Sequence, residues 1–177
     1  SDVTLTTQDL QQLDAEIYRL KAELERRDRD AESLITDPVQ RDIFLNRYDE
    51  YHSRIASFDH DLSNLKSRLK STREDVKLAK QQLAIRQELE QARNAMYERK
   101  IGSLVDYLMA RNDRLMSERE YHDLGNQVRT LQGEINALQA KRQAFISQWF
   151  ADLGEKLAQV SRNRDATVEQ LVKFNRA

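Results

Sequence analysis

Phe44-Leu45-Asn46-Arg47-Tyr48-Asp49-Glu50-Tyr51-His52-Ser53-Arg54-Ile55-Ala56-Ser57-Phe58 sets a rhythm that decides the fold. Large apolar or aromatic residues fall at Phe44, Tyr48, Tyr51, Ile55 and Phe58, and the alternating steps of four and three continue through Leu62, Leu65, Leu69, Thr72, Val76, Ala79 and Leu83. A straight α-helix repeats every 3.6 residues, so a stripe that averages 3.5 stays turned toward a neighbouring helix only if the two supercoil. The stretch is therefore one strand of a coiled coil, and a seam of that length needs a partner of comparable length. Near Ile85, Leu89 and Met96 the apolar residues change phase, which reads as a stutter that locally unwinds the supercoil.

The partner lies further along the same chain. Leu124, Val128, Leu131, Ile135, Leu138, Phe145 and Trp149 keep heptad spacing, after which the phase slips to Leu153, Leu157 and Val160 and ends at Leu171 and Phe174. Between the two seams stands Lys100-Ile101-Gly102-Ser103, where Gly102 tolerates positive φ and Ser103 can cap the helix that follows. A reversal at 100–104 makes residue 102 minus k face residue 102 plus k, which puts Leu65 near Leu138 and Phe58 near Phe145. The third helix, about 103–177, carries Gly125, Gly133 and Gly154, each costing about 1 kcal/mol relative to alanine unless a close helix approach offsets it.

Upstream, Leu10, Leu13, Ile17, Leu20 and Leu24 repeat at the same spacing, and the rhythm resumes at Ala31 and Leu34 with Arg27 in the skipped position. These residues predict a first helix over about 7–34, capped by Thr6 or Thr7. It stops at Asp37-Pro38, because proline cannot donate within a helix that runs through it. The same residues start the second helix, about 38–99, with Asp37 as N-cap, Pro38 in the first turn and Gln40 where a capping box wants Glu or Gln. The expected fold is all-α, a long antiparallel coiled-coil hairpin of three helices in one domain, with the first two in one arm and the third in the other. The first two exceed the third in length, so either their ends overlap as a short three-helix stretch around Pro38 or the first helix pairs with residues outside this sequence.

Composition fits that reading and narrows the function. The 177 residues hold one proline and four glycines, and 33% are charged, with 29 Lys and Arg against 30 Asp and Glu interspersed along the chain. That balance lacks the basic footprint of a nucleic-acid binder. With no cysteine, thiolate catalysis and Cys-ligated zinc are excluded. His52 and His60 lie on the second helix and His122 on the third, without the i, i+4 spacing that sets two imidazoles on one metal. Carboxylates such as Glu23 read as solvated i, i+4 partners, here of Arg27. Tyr48, Tyr51, Trp149 and Phe150 read as bulky core residues where the seam widens to meet a third helix, in preference to an aromatic ligand box. No enzyme, cofactor, metal or small-molecule substrate is expected. No run of about 18 apolar residues spans a membrane.

One segment stands apart from generic coiled coil: Met96-Tyr97-Glu98-Arg99-Lys100-Ile101-Gly102-Ser103-Leu104-Val105-Asp106-Tyr107-Leu108. It resembles the hairpin tip of the HlyD-like periplasmic adaptors, or membrane fusion proteins, with Ser103, Asp106, Tyr107 and Leu108 on the family pattern and Met96 in place of its leucine. The order of first helix, Asp-Pro break, second helix and long return helix is similar to the type I secretion branch of that family. An arginine that efflux adaptors carry near the tip falls on Ala92, which leaves Arg93 as a displaced counterpart. The family's lipoyl and β-barrel domains are not in these residues, so the sequence is expected to be the hairpin of a longer protein. The resemblance implies that Arg93, Met96, Lys100, Ile101, Ser103 and Leu104 meet a TolC-like outer-membrane channel. It also implies an inner-membrane ABC transporter at the other end, several copies side by side, and a periplasmic location anchored to the inner membrane. A drug-efflux adaptor of the EmrA type and a purely structural coiled coil are the alternatives.

Overall fold

The structure is a computed structural model that describes residues 2–176. Its elements are α1 (Asp2–Leu24), a six-residue 3-10 helix (Arg29–Leu34), α2 (Pro38–Glu98) and α3 (Leu104–Arg176), with no strand among the described residues. The chain divides into two compact units, Ser1–Phe58 with Lys141–Ala177, and Asp59–Ala140.

In Asp59–Ala140, α2 and α3 pair antiparallel. Leu62, Leu69, Leu131 and Ile135 are buried together, and Leu65, Val128 and Leu138 pack against them, which are the two seams read from the heptads. Tyr97 stacks on Tyr107 with ring centroids 6.4 Å apart, and Arg114 Nε donates to Glu90 across 2.6 Å. Both pairs lie at equal distances in sequence on either side of residue 102, so the register is the one a turn at that residue sets.

In the other unit three helical segments meet. Phe58 lies 5.9 Å from Phe145 and Tyr51 5.5 Å from Trp149, an antiparallel pairing of the start of α2 with the end of α3. α1 lies antiparallel to α3 and packs Leu20 against Leu153 and Val160. The phase slip after Trp149 has its cause here: the buried stripe of α3 moves to Leu153 and Val160 to face α1. The overlap expected around Pro38 is present, with Phe44 on α2 buried against Ala22 and Ile35.

α1 differs from expectation at both ends. It is already helical at Asp2, and the Thr6 and Thr7 hydroxyls donate back to the carbonyls of Asp2 and Val3, so neither residue is an N-cap. It stops at Leu24 instead of near residue 34. Arg26 adopts φ 55°, Arg26 N–H bonds the Glu23 carbonyl and Arg27 N–H the Ala22 carbonyl, the paired bonds of a Schellman stop. That motif usually carries glycine, and its absence hid the stop. The gain is burial: in a straight helix Ala22 and Ile35 would stand about 20 Å apart at 1.5 Å per residue, whereas the reversal brings both onto Phe44. Asp28 then caps the 3-10 turn, accepting from Arg29 N–H. That bond, and after it the hydroxyl of Tyr48, hold the Asp28 carboxyl below its usual range.

Asp37 caps α2 as read, accepting from Val39 N–H at 2.9 Å and Gln40 N–H at 3.1 Å. Gln40 does not close a capping box; its amide oxygen accepts from Arg19 Nε at 2.6 Å. Arg19 is buried, and its guanidinium also meets Glu23, whose other oxygen takes Arg47 Nε at 2.6 Å. Glu23 is thus a buried link between α1 and α2. It is not the solvated partner of Arg27, which pairs with Glu25. Gly125, Gly133 and Gly154 have open space where a Cβ would stand, so no close helix approach accounts for them.

Candidate partner-binding site at the hairpin turn

The turn between α2 and α3 is built from two caps. Lys100 takes φ 63°, its N–H bonds the Tyr97 carbonyl at 2.9 Å, and Ile101 N–H bonds the Met96 carbonyl at 2.9 Å, a second Schellman stop with a basic residue in glycine's place. Gly102 does not have positive φ; its role is steric, because an added Cβ would stand 2.9 Å from the Met96 Cβ. Ser103 Oγ accepts from Asp106 N–H at 3.0 Å and caps α3, with Asp106 in the first turn where a negative charge favours the helix dipole.

These roles predict opposite effects of two neighbouring substitutions. Lys100→Gly removes a left-handed side-chain penalty and is expected to stabilise the turn by about 0.5–1 kcal/mol after the greater entropy loss of glycine. Gly102→Ala forces the Met96 side chain and backbone to shift and is expected to cost about 1–3 kcal/mol. Thermal unfolding of both variants checks the assignment; equal shifts in one direction would overturn it.

The seam next to the turn is polar. From Leu83 the half-buried positions of α2 continue at Arg86, Glu90 and Arg93, and the buried and half-buried positions of α3 run from Leu124 back through Tyr121, Ser117, Arg114 and Ala110 to Tyr107, still in steps of three and four. The heptad phase therefore does not stutter near Ile85. Its apolar occupants are replaced by Arg114 bridging Glu90 and Glu118, and by Arg86 3.5 Å from Asp113. Glu90 first, and then Glu118, hold the Arg114 guanidinium above its ordinary range.

The apolar residues that left the seam lie outside it. Leu78, Ile85 and Leu89 on α2 are exposed, as are Ile101 in the turn and Leu104, Val105, Leu108, Met109, Leu115 and Met116 on α3. Single exposed leucines are ordinary, but a run of large ones at i, i+1, i+4 and i+5 is a surface suited to contact. Val105, Leu108, Met109, Leu115 and Met116 were missed as candidate contact residues. Running the heptad backward from Leu124 finds them, because it places Tyr107, Ala110, Arg114 and Ser117 inside and leaves these residues out.

Of the residues singled out from sequence, Ile101, Ser103, Leu104 and Lys100 are exposed at the turn, and Arg93 and Met96 are half-buried. Met96 supports Gly102 and Ser103 caps α3, so both are structural members of the site. Among the described residues no group of three or more His, Asp or Glu side chains is gathered as a metal site would need, and no helix is long and apolar enough to cross a membrane. What the turn offers chemically is docking: exposed aliphatic side chains with Arg99 and Lys100 beside them. No protein-family model matches the chain, and comparison with curated proteins finds no significant match.

Proposed function

We propose that this chain is the helical hairpin of a periplasmic adaptor of the HlyD type, serving a type I protein secretion system. In this reading the turn and the first turns of α3 dock on the helical ends of a TolC-like outer-membrane channel. Neighbouring copies pack along the hairpin, and an inner-membrane ABC transporter is engaged by the part of the protein beyond it. The observation that carries the reading is the apolar surface of Val105, Leu108 and Met109 beside a turn capped at both helix ends. Aliphatic side chains on a preordered helix end are what a helix-to-helix contact needs. A contact of that size is weak alone, and several copies multiply it.

The test is made in the full-length protein with its transporter and channel. Replacing Leu108 and Met109 together by aspartate touches neither cap nor seam and is expected to change stability by no more than about 0.5 kcal/mol, as at other surface sites. Secretion and co-purification of the channel should be lost, while helicity by circular dichroism and co-purification of the transporter are kept. Normal secretion by the double variant would end the proposal. Ser103 and Met96 are poorer probes, because changing either also disturbs the turn.

A further inference from the structure

The unit formed by Ser1–Phe58 with Lys141–Ala177 contains a half-open cavity of about 220 Å3 beside the C-terminal end of α1. Tyr48, Tyr51, Trp149 and Phe150 line it and remain half-buried, although they are among the largest side chains of a three-helix packing. Tyr51 is the hub: its ring lies 5.5 Å from Trp149 at 45° and 5.6 Å from Phe150 at 71°. Tilted and edge-on contacts at these distances are favoured between rings, and a further ring entering the cavity would meet the same geometry. An engineered cavity of about 150 Å3 holds benzene, so this one has room for a single ring with a short substituent.

Charge at the cavity is one-sided. Arg26, Arg27 and Arg47 line it against one carboxylate, Glu23. Both oxygens of Glu23 are taken, one by Arg19 and the other by Arg47, and Arg27 is paired with Glu25. Arg26 is different: its guanidinium carbon stands 4.2 Å above the Phe150 ring, and no carboxylate among the described residues pairs with it. The Schellman stop at Leu24 puts it there, in a left-handed conformation that a glycine would adopt at less cost. An unpaired guanidinium at the edge of a ring-lined cavity is a donor fork for a planar anion.

We propose that the cavity binds a small aromatic carboxylate, its ring among Tyr51, Trp149 and Phe150 and its carboxylate on Arg26. The site is independent of the turn and of the role assigned to it. The rings that read from sequence as core where a third helix joins are that core on one side and the wall of this site on the other.

The chain's single tryptophan is Trp149, so its emission reports on the cavity alone. Phenylacetate added to the purified protein should quench or shift that emission saturably, with a dissociation constant of about 1 mM or below, within what a ligand of this size achieves. Two analogues separate the contributions: neutral phenylacetamide and non-aromatic cyclohexylacetate should each bind about tenfold more weakly, the size of one lost charged hydrogen bond or ring contact. Arg26→Gln should weaken phenylacetate about tenfold and leave phenylacetamide unchanged. Arg26→Gly, which relaxes the backbone there, should do the same and guards against misfolding of the first variant. An emission that does not respond to phenylacetate, equal binding of acid and amide, or full binding by Arg26→Gly would each overturn the proposal.

Discussion

Leu20→Ala is expected to lower the unfolding free energy by about 3–4 kcal/mol, in the upper part of the range for buried leucines. Leu20 is 1% exposed and sits where α1 meets Leu153 and Val160 of α3, with Leu13, Ile17 and Leu24 around it. Truncation removes its transfer free energy and leaves a hole that helices tied on either side of Leu20 cannot close. The Arg164–Asp14 pair ties the middle of α1, and Gln40, Glu23 and Arg47 hold its C-terminal end. Leu5 on the same helix is 60% exposed, and its replacement by alanine should change stability by less than about 0.5 kcal/mol. Urea unfolding of the two variants decides the matter. A Leu20→Ala loss below about 0.5 kcal/mol, the size of a surface change, would mean that α1 does not dock in solution.

Ile135→Ala is expected to cost about 3 kcal/mol, since Ile135 is 3% exposed among Leu62, Leu69 and Leu131. Arg114→Ala, in the same seam of the same helix, should destabilise less. It strands Glu90, whose side chain is 17% exposed, and partial hydration softens the penalty of an unpaired charge. Replacing Arg114 and Glu90 together by leucine should recover that loss and exceed the original stability, as exchange of a partly buried ion pair for packed apolar residues often does. Unfolding by guanidinium would obscure the comparison by screening the pair, so urea is the denaturant of choice. A double variant less stable than the unsubstituted protein would show that the pair contributes more than its desolvation costs.

The sequence was legible where a single kind of physics decided the outcome. The seam of Leu62, Leu65 and Leu69 against Leu131, Ile135 and Leu138 followed from apolar periodicity, and the register from the turn at 102. The slip after Trp149 marked the arrival of a third helix. Reading failed where backbone conformation was chosen against residue preference. Arg26 and Lys100 both adopt positive φ without being glycine or asparagine, and nothing in their chemistry announces it. For Lys100 the neighbouring Gly102 marked the turn for a different reason. For Arg26 no neighbour did, and the end of α1 was placed too late. The stutter expected at Ile85 and Leu89 is absent for a different reason: those apolar residues lie outside, and Arg86, Glu90 and Arg114 occupy the inside positions. As to the candidate site, the resemblance of the turn segment pointed to Ile101 and Leu104, which are exposed at the turn, while Leu108 and Met109 become candidate contact residues only after the polar seam is recognised. The partners named for the site rest on the resemblance of the turn segment.

A polar seam beside the turn also has a kinetic consequence. Hairpins usually gain by closing first at the turn, where little chain must be ordered per contact. Here the Tyr97–Tyr107 stack at the turn is followed by ion pairs and small residues, which give little to an early encounter. The buried apolar cluster of the pair, Leu62, Leu69, Leu131 and Ile135, joins residues about sixty or more apart in sequence, so much of the entropy of closing that loop is lost before its burial offsets it. The nucleus for this pair of helices therefore lies far from the turn. Substitutions such as Lys100→Gly should act mainly on the unfolding rate, whereas Leu69→Ala should slow folding itself.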